Sequence, residues 1–490
     1  MTLAGLDRLP TVTRARARTL RDRLGASGFE ERVPYEVETA SMLTFEELRL
    51  PLVRRALRRD PSAAATLALL FQYASDVSVD DADRALGMDG RGWLADAGIL
   101  ELRDGRCEAR FRLQVAEASW ILCDEPGAGT EAVMPPGPTT VDLLNAMPGP
   151  PYGSVLDVGT GPGTLALIAA ARGAGRVVAT DISERAVELA RFNARFNELD
   201  VDVRAGDLLD PVNGERFELI VAQPPYVTHP EGQPDVTFMH GGALGDELAM
   251  RLLAALPAAL AESGVAILLF DSPVRPEPLH DRIRAVTGDA LDVAVFNGPG
   301  LPPDMQSIGY AALHDPTFGP DYAATALRYR DHLERVGAEK VSHALVVLRS
   351  SPGPGWTIGI PVPAPPEWDD IAPFVSGLDL LTRDDDAIAG ARIQPAPGTV
   401  LVRERRPGAR DERRSVRFDR RSLGSERELN EAGAVIFDLL AKDPSVASAV
   451  QRLAEATGQS VGDVRPLVLT FVKENLARGL LVPASQEGDD

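Results

Sequence analysis

Two short apolar runs each end in residues that a strand cannot continue, and together they constrain the fold more than any other feature. The first, Val155-Leu-Asp-Val-Gly-Thr-Gly-Pro-Gly163, enters a loop with glycines at 159, 161 and 163. Glycine has no Cβ and accepts positive φ, so backbone at such a turn can approach a ligand closely before a helix begins. Leu165 to Ala171 is the predicted helix. The second run, Leu219-Ile-Val-Ala-Gln-Pro-Pro-Tyr226, is stopped by two prolines. Between them, Arg176-Val-Val-Ala-Thr-Asp181 reads as a buried strand and Val201-Asp-Val-Arg as another, ending in Gly206-Asp207. Strands alternating with helical stretches build a parallel sheet, and its ligands sit beyond the carboxyl ends of the strands. Asp157, Asp181 and Asp207 are therefore expected to face one crevice.

Charge selects the ligand. Asp157 lies just before the first glycine, where it would repel a pyrophosphate; this disfavours the dinucleotide-binding dehydrogenase that Gly-x-Gly-x-Gly otherwise suggests. An acid there suits the cationic amine and sulfonium of S-adenosylmethionine. Asp181, at the end of the next strand, is placed to accept ribose hydroxyls. In Gln223-Pro224-Pro225-Tyr226 an amide oxygen and a backbone carbonyl can accept both hydrogens of a planar NH2 group, with the Tyr226 ring stacked on its face. A plain turn is the alternative for Pro-Pro.

With these residues, the stretch from about 135 to 350 resembles the class I S-adenosylmethionine-dependent methyltransferases. Within them it resembles the branch of release-factor glutamine and exocyclic-amine methyltransferases marked by Asn-Pro-Pro-Tyr/Phe. Gly206-Asp207-Leu-Leu-Asp-Pro-Val, Arg216 to Tyr226 and Gly241-Gly-Ala-Leu-Gly-Asp-Glu247 carry the likeness. The resemblance implies that Asp157, Gly159, Gly161 and Gly163 line the methionine end of the cofactor, that Asp181 binds ribose, and that Asp207 lies near adenine. It implies Gln223, Pro224 and Tyr226 as the acceptor clamp. Gln223 departs from the usual Asn by one methylene, which puts the identity of the acceptor in doubt.

The chain of 490 residues is too long for one core. Residues 1–133 read as a helical, winged-helix-like unit, 134–350 as the methyltransferase domain, 351–399 as a Pro/Gly-rich connector and 400–490 as a tail module. In the first unit, Thr44–Leu50, Leu52–Arg59 and Ala63–Tyr73 are helical by spacing, with Pro51 separating the first two. Asp104-Gly105 turns a hairpin between residues 99 and 113. Strands at 265–270, 291–296 and 343–348 would complete a Rossmann-like seven-stranded sheet with an antiparallel last strand. His240 and His314 read as structural histidines near the site. After an irregular stretch, the tail offers strands at 400–404 and 415–419 and three helices from Glu428 onward. Leu429-Asn-Glu-Ala-Gly-Ala-Val-Ile-Phe-Asp-Leu-Leu440 and Leu476-Ala-Arg-Gly-Leu-Leu481 resemble the PqqD-like winged-helix modules of enzymes that modify ribosomally made peptides. That likeness implies capture of a leader peptide as an added strand; dimerisation through a degenerate winged helix is the alternative.

The net charge of −21, with 72 acids against 51 bases, disfavours a nucleic-acid substrate. The arginine runs at 14–23 and 54–59 read as exposed helix faces. Cys107 and Cys123 cannot build a disulfide framework, and no metal set is apparent. No signal peptide or membrane span is legible, so the expected compartment is the cytoplasm. The fold expected is α/β, a methyltransferase sheet flanked by winged-helix-like domains. The expected function is transfer of a methyl group from S-adenosylmethionine to a nitrogen (amide, guanidine or amine) of a peptide or protein, such as a natural-product precursor. A small molecule or a carboxylate oxygen is the alternative acceptor, and a binding protein with a vestigial cofactor site the non-enzymatic one.

Overall fold

The computed structural model describes residues 6–29, 46–125, 128–315, 318–405, 412–418, 423 and 426–484. The amino-terminal unit begins with α1 (Arg14–Ala26), α2 (Glu46–Leu57) and α3 (Ala63–Phe71). Thr44 and Phe45, at the start of the predicted first helix, lie outside the described residues. Pro51 does not separate two helices. It sits inside α2, since loss of its one N–H removes a single bond from a helix whose remaining ladder continues to Leu57. Strand β1 (Val77–Ser78) and α4 (Val79–Asp96) follow, with Gly87 breaking α4 at φ +72°. The hairpin β2 (Leu100–Arg103) and β3 (Arg106–Ala109) turns through Asp104 and Gly105, both at positive φ as an Asp-Gly turn requires. A second hairpin, β4 (Arg112–Ala116) and β5 (Ser119–Cys123), ends the unit.

Next come α5 (Pro138–Ala146), β6 (Ser154–Val158), α6 (Thr164–Ala171), β7 (Arg176–Asp181), α7 (Glu184–Asn197), β8 (Asp202–Ala205) and β9 (Phe217–Ala222). A small parallel pair, β10 (Val227–Thr228) and β11 (His240–Gly242), precedes α8 (Glu247–Ala259) and β12 (Leu260–Pro273). Then α9 (Leu279–Thr287), β13 (Leu291–Asn297), α10 (Pro303–His314), α11 (Tyr322–Arg335) and β14 (Val341–Ser350) complete the expected strands. The sheet is mixed, and it has eight strands where seven were expected. β15 (Thr357–Pro361), drawn from the Pro/Gly-rich connector, pairs parallel with β13 beyond the antiparallel β14 to give the order β15-β13-β14-β12-β9-β6-β7-β8. One face buries Val155, Val221 and Ile267 under α5 and α6; the other buries Ile220, Leu268 and Val295 under α8 and α9.

The stretch expected to be irregular is folded as well. It contains α12 (Trp368–Leu381), α13 (Asp385–Gly390) and β16 (Ile393–Pro395). Its apolar positions are masked in the sequence because Pro373 lies within α12 and Pro365 and Pro366 stand just before it. Ile371, Phe374, Val375 and Leu378 of α12 join the sheet's core, and Asp379 takes hydrogen bonds from Arg349 at 2.5 Å and Trp356 Nε1 at 3.0 Å. The tail is a sheet of β17 (Thr399–Glu404), β18 (Arg413–Phe418) and β19 (Arg427–Leu429), then α14 (Glu431–Lys442), α15 (Val446–Thr457) and α16 (Val461–Leu476). Its last strand, β20 (Leu481–Pro483), pairs with β16.

The amino-terminal unit is tied to the sheet domain by two asparagines one helical turn apart on α7. Asn193, fully buried, accepts the Leu122 N–H at 2.9 Å and donates to the carbonyls of Leu122 and Pro162 at 2.9 and 2.8 Å. Asn197 does the same to Trp120, accepting at 2.8 Å and donating at 2.7 Å. A turn of helix and two residues of strand both span roughly 6 Å, so the pair matches alternate residues of β5 and stands in for a neighbouring strand. Asn193→Ala leaves a buried N–H and two carbonyls unpaired, and should cost roughly 2–4 kcal/mol. Thermal unfolding should show Asn193→Ala well below wild type and Asn197→Ala between them. Equal midpoints for all three proteins would refute the bracket.

Candidate active site

Strand β6 ends at Val158 and the chain turns at once, with Gly159, Gly161 and Gly163 at φ +71°, +56° and +91°. Two of these glycines have different duties. A Cβ on Gly163 would stand 3.2 Å from that of Ala190, so close helix packing demands glycine there. A Cβ on Gly159 would meet nothing within 4 Å, since that position opens on a crevice. The N–H groups of Gly159 and Thr160 are held by the Thr180 carbonyl at 2.8 and 3.0 Å, which fixes the loop against the end of β7.

The three predicted acids line this one crevice, a cavity of about 800 Å³, together with Gln223, Pro224 and Tyr226. That volume suits a nucleoside-sized ligand with a second group beside it. Asp157 is buried, and its Oδ2 accepts from Thr160 Oγ1 at 2.6 Å and from the Ala166 N–H at 3.1 Å, so it also anchors the first turn of α6. Burial raises its carboxyl to about 6 in spite of those hydrogen bonds. Asp181 accepts from the Gly161 and Ser183 N–H groups, both at 2.9 Å; burial raises its pKa also. Asp207 is half-exposed and paired with Arg251 of α8 at 2.7 Å. Ile182, which sequence reasoning missed, is 62% exposed beside Asp181 and gives the crevice an open apolar face. The residues present thus fit S-adenosylmethionine: carboxylates for its cation and its ribose, and an apolar wall for a planar base.

The Gln-Pro-Pro-Tyr segment follows β9 at the same edge. Gln223 Nε2 donates to Thr139 Oγ1 of α5 at 2.6 Å, which ties one of the amide's two N–H groups to the protein. Tyr226 is turned edge-on to His343, with ring centroids 6.1 Å apart. Burial holds its hydroxyl well above the ordinary phenol pKa and the Asp271 charge adds to this, against hydrogen bonding with Gln223 and Thr139. The hydroxyl therefore stays protonated and joins the polar cluster. Behind it Asp271 accepts from His343 at 2.7 Å, Gln306 at 3.0 Å and Tyr310 at 3.1 Å, tying α10 to β12 and β14.

The Gly241-to-Glu247 segment acts as a buttress. A Cβ on Gly241 would fall 2.3 Å from the Pro225 carbonyl and one on Gly245 would fall 2.5 Å from that of Tyr226, so backbone lies directly against backbone under the clamp. His240 sits here, its Nδ1 accepting the Val236 N–H at 3.0 Å and its Nε2 2.9 Å from the Tyr329 hydroxyl. His229, Asp235 and His240 bring ligand-type atoms within 4.8 Å of one another. Both ring nitrogens of His240 already have protein partners, which matches a structural role. His314 lies on α10 beside Leu313, which lines the crevice.

The raised Asp157 carboxyl has two consequences of fixed sign. The folded state holds this proton more tightly than the unfolded chain, so the ligand-free protein loses stability as pH rises from the usual carboxylate range to about 6, and this contribution is level above that. A cationic ligand meets the charged form only above about 6. Calorimetric affinity for S-adenosylmethionine should therefore rise through that pH and then level off, while Asp157→Asn should bind weakly with no such step. An identical pH dependence in the variant would refute this.

Residues 136–273 match the Methyltransferase small domain family, and residues 411–481 match Coenzyme PQQ synthesis protein D (PqqD). The chain is 42% identical over 127 residues to the release factor glutamine methyltransferase of Deinococcus radiodurans, covering 24% of this chain and 45% of that one. It is 37% identical over 163 residues to the enzyme of the same name from Enterococcus faecalis, covering 29% and 58%. With the ribosomal protein L11 methyltransferase of Thermotoga maritima it shares 51% identity over 69 residues, 14% of this chain and 26% of that one. The chain spans from 26% to 61% of the length of the first curated relatives it matches. No helix among the described residues is long and apolar enough to cross a membrane. The chain therefore carries a methyltransferase small domain over residues 136–273 and, after it, a PqqD-like domain over residues 411–481.

Proposed function

We propose that this chain is an S-adenosylmethionine-dependent methyltransferase acting on a nitrogen of a peptide or protein, with the PqqD-like domain holding the substrate. The carrying observation is the placement of Gln223 in the wall of the crevice that the three acids share. One of its two Nε2 hydrogens goes to Thr139, and its amide lines the crevice, where the oxygen can accept a hydrogen bond. A substrate amide or amine offers N–H donors to such a group. A carboxylate offers none, and its oxygens would be repelled. The relatives named for glutamine and ribosomal-protein methylation support the same class of acceptor.

When bound, the cofactor supplies a methyl group on a sulfonium. The chain's own residues do the rest. Asp181 and Asp157 hold the ligand by charge, Gln223 and the adjacent backbone carbonyls fix the nitrogen's orientation, and the protonated Tyr226 closes one wall. The tail's contribution rests on β17, an edge strand that among the described residues has a neighbour on one side only, with Val400 39% exposed. An extended peptide can add there by main-chain hydrogen bonds. The winged-helix reading of both flanking units, cytoplasmic location and the link to natural-product precursors belong to this proposal.

Three measurements test it. Turnover of a glutamine-containing peptide library with radiolabelled S-adenosylmethionine should give product stable to mild base, whereas a methyl ester would release methanol. Gln223→Ala should slow turnover by about 10²-fold and leave cofactor affinity unchanged; weakened cofactor binding would place Gln223 in the wrong half of the site. Hydrogen exchange with a turned-over peptide present should show new protection at residues 399–404. No change there would remove the tail from substrate binding.

A further inference from the structure

A second cavity, of about 810 Å³, lies between α2 and the β2–β3 hairpin of the amino-terminal unit. Six arginines line it: Arg54, Arg55, Arg58 and Arg59 from α2 and its end, and Arg103 and Arg106 from the hairpin. Four acids share the lining, Asp76, Glu101, Asp104 and Glu108. The groove therefore has a surplus of two positive charges in a chain whose net charge is −21.

Part of the basic set is fixed in place. Arg54 Nε donates to the Tyr73 carbonyl at 2.8 Å, Arg58 to Ser75 at 2.9 Å, and Arg106 to Asp76. Arg55 and Arg59 are exposed and have no acidic partner among the described residues. Guanidinium groups left open beside a braced set present a fork that fits carboxylates. Sequence reasoning took 54–59 as an ordinary exposed face because Arg103 and Arg106, which complete the concavity, are remote in the chain.

The groove's position gives it meaning. Leu50 of α2 lines the methyl-transfer crevice, and the next residue, Pro51, lines the basic groove. One helix thus joins the two cavities. From Leu50 to Arg58 the helix advances roughly 12 Å, a distance that an extended peptide covers in about four residues.

We propose that this arginine groove is a docking site for an acidic peptide segment, and that it reads carboxylate side chains roughly three to six residues from the methylated position. The spacing rests on the peptide-substrate reading given above; the groove itself does not. A nucleic acid is the poorer occupant, since its phosphates run on beyond the groove over a chain of net charge −21 and Asp80, Asp81 and Asp83 stand at the start of the neighbouring helix α4, whereas a short acidic segment places its charge within the groove.

The test uses the full chain and a fluorescein-labelled hexaglutamate peptide followed by fluorescence anisotropy, with hexalysine and a short DNA duplex as comparisons. Hexaglutamate should bind, with affinity falling as salt rises, and Arg55→Glu/Arg59→Glu should weaken it by about tenfold or more. Calorimetry with S-adenosylmethionine should give the same affinity for both proteins, showing that the variant is folded. Absent hexaglutamate binding, unchanged binding in the double variant, or tighter binding of the duplex lost in that variant would each overturn the proposal. Glutamine peptides carrying Glu at the third to sixth position should be methylated faster than Lys counterparts by wild type and not by the variant. Hexaglutamate binding lost in the variant, with no peptide methylated by either protein, would leave the groove standing and refute the peptide-methylation reading instead.

Discussion

The site depends on a bracket of two asparagines. Asn193 and Asn197 give the open edge of β5 the hydrogen bonds that a neighbouring strand would supply, and Asn193 also holds the Pro162 carbonyl in the glycine loop. One buried side chain therefore positions both the loop that would receive the cofactor and the unit that lies over it. The Arg185–Asp124 ion pair, at 2.5 Å with Asp124 buried, repeats the connection nearby, and Asp124 in turn accepts the Val133 N–H at 2.8 Å. Because the amino-terminal unit is seated this way, Arg112, Gln114 and Val133 become walls of the crevice. A lid that hinged freely would not need three polar links to the sheet, two of them through buried side chains, Asn193 and Asp124.

Much of the site was legible because its signals are local. A strand, a glycine turn and an acid at the next strand's end are each set by a few adjacent residues, and the parallel sheet then gathers them without further information. Gln223 and Tyr226 were legible for the same reason. Their orientation was not, since it depends on Thr139, Asp271 and His343, which come from three other elements. The glycines at 241 and 245 were readable as a motif, but their purpose appears only where backbone meets the Pro225 and Tyr226 carbonyls. Asn193 and Asn197 carry a faint sequence trace, the repeated Arg-Phe-Asn of residues 191–197. On a helix that trace means a shared face, yet nothing in it names a strand as the partner.

The connector was misjudged for a physical reason. Proline and glycine content argues for loop, and the helix Trp368–Leu381 contains Pro373. Burial overrides that local preference: Ile371, Phe374 and Leu378 enter the core of the large sheet, which outweighs one missing N–H. The same segment gives the sheet its eighth strand, so the edge beyond the antiparallel pair is covered.

The pairing of β16 with β20 places the entry and the exit of the tail module side by side. A module whose two ends meet can be exchanged as a cassette, provided that α13 travels with it, since Ile388 is buried in the tail's own core and Asp385 and Asp386 pair with Lys473 and Arg465. Recombination between chains of this design should therefore favour junctions just before Asp385 and just after Pro483, leaving α12 with the sheet domain. Chimaeras cut there would carry a new tail on the same sheet, whereas cuts inside the clasp would leave Ile393, fully buried, facing water.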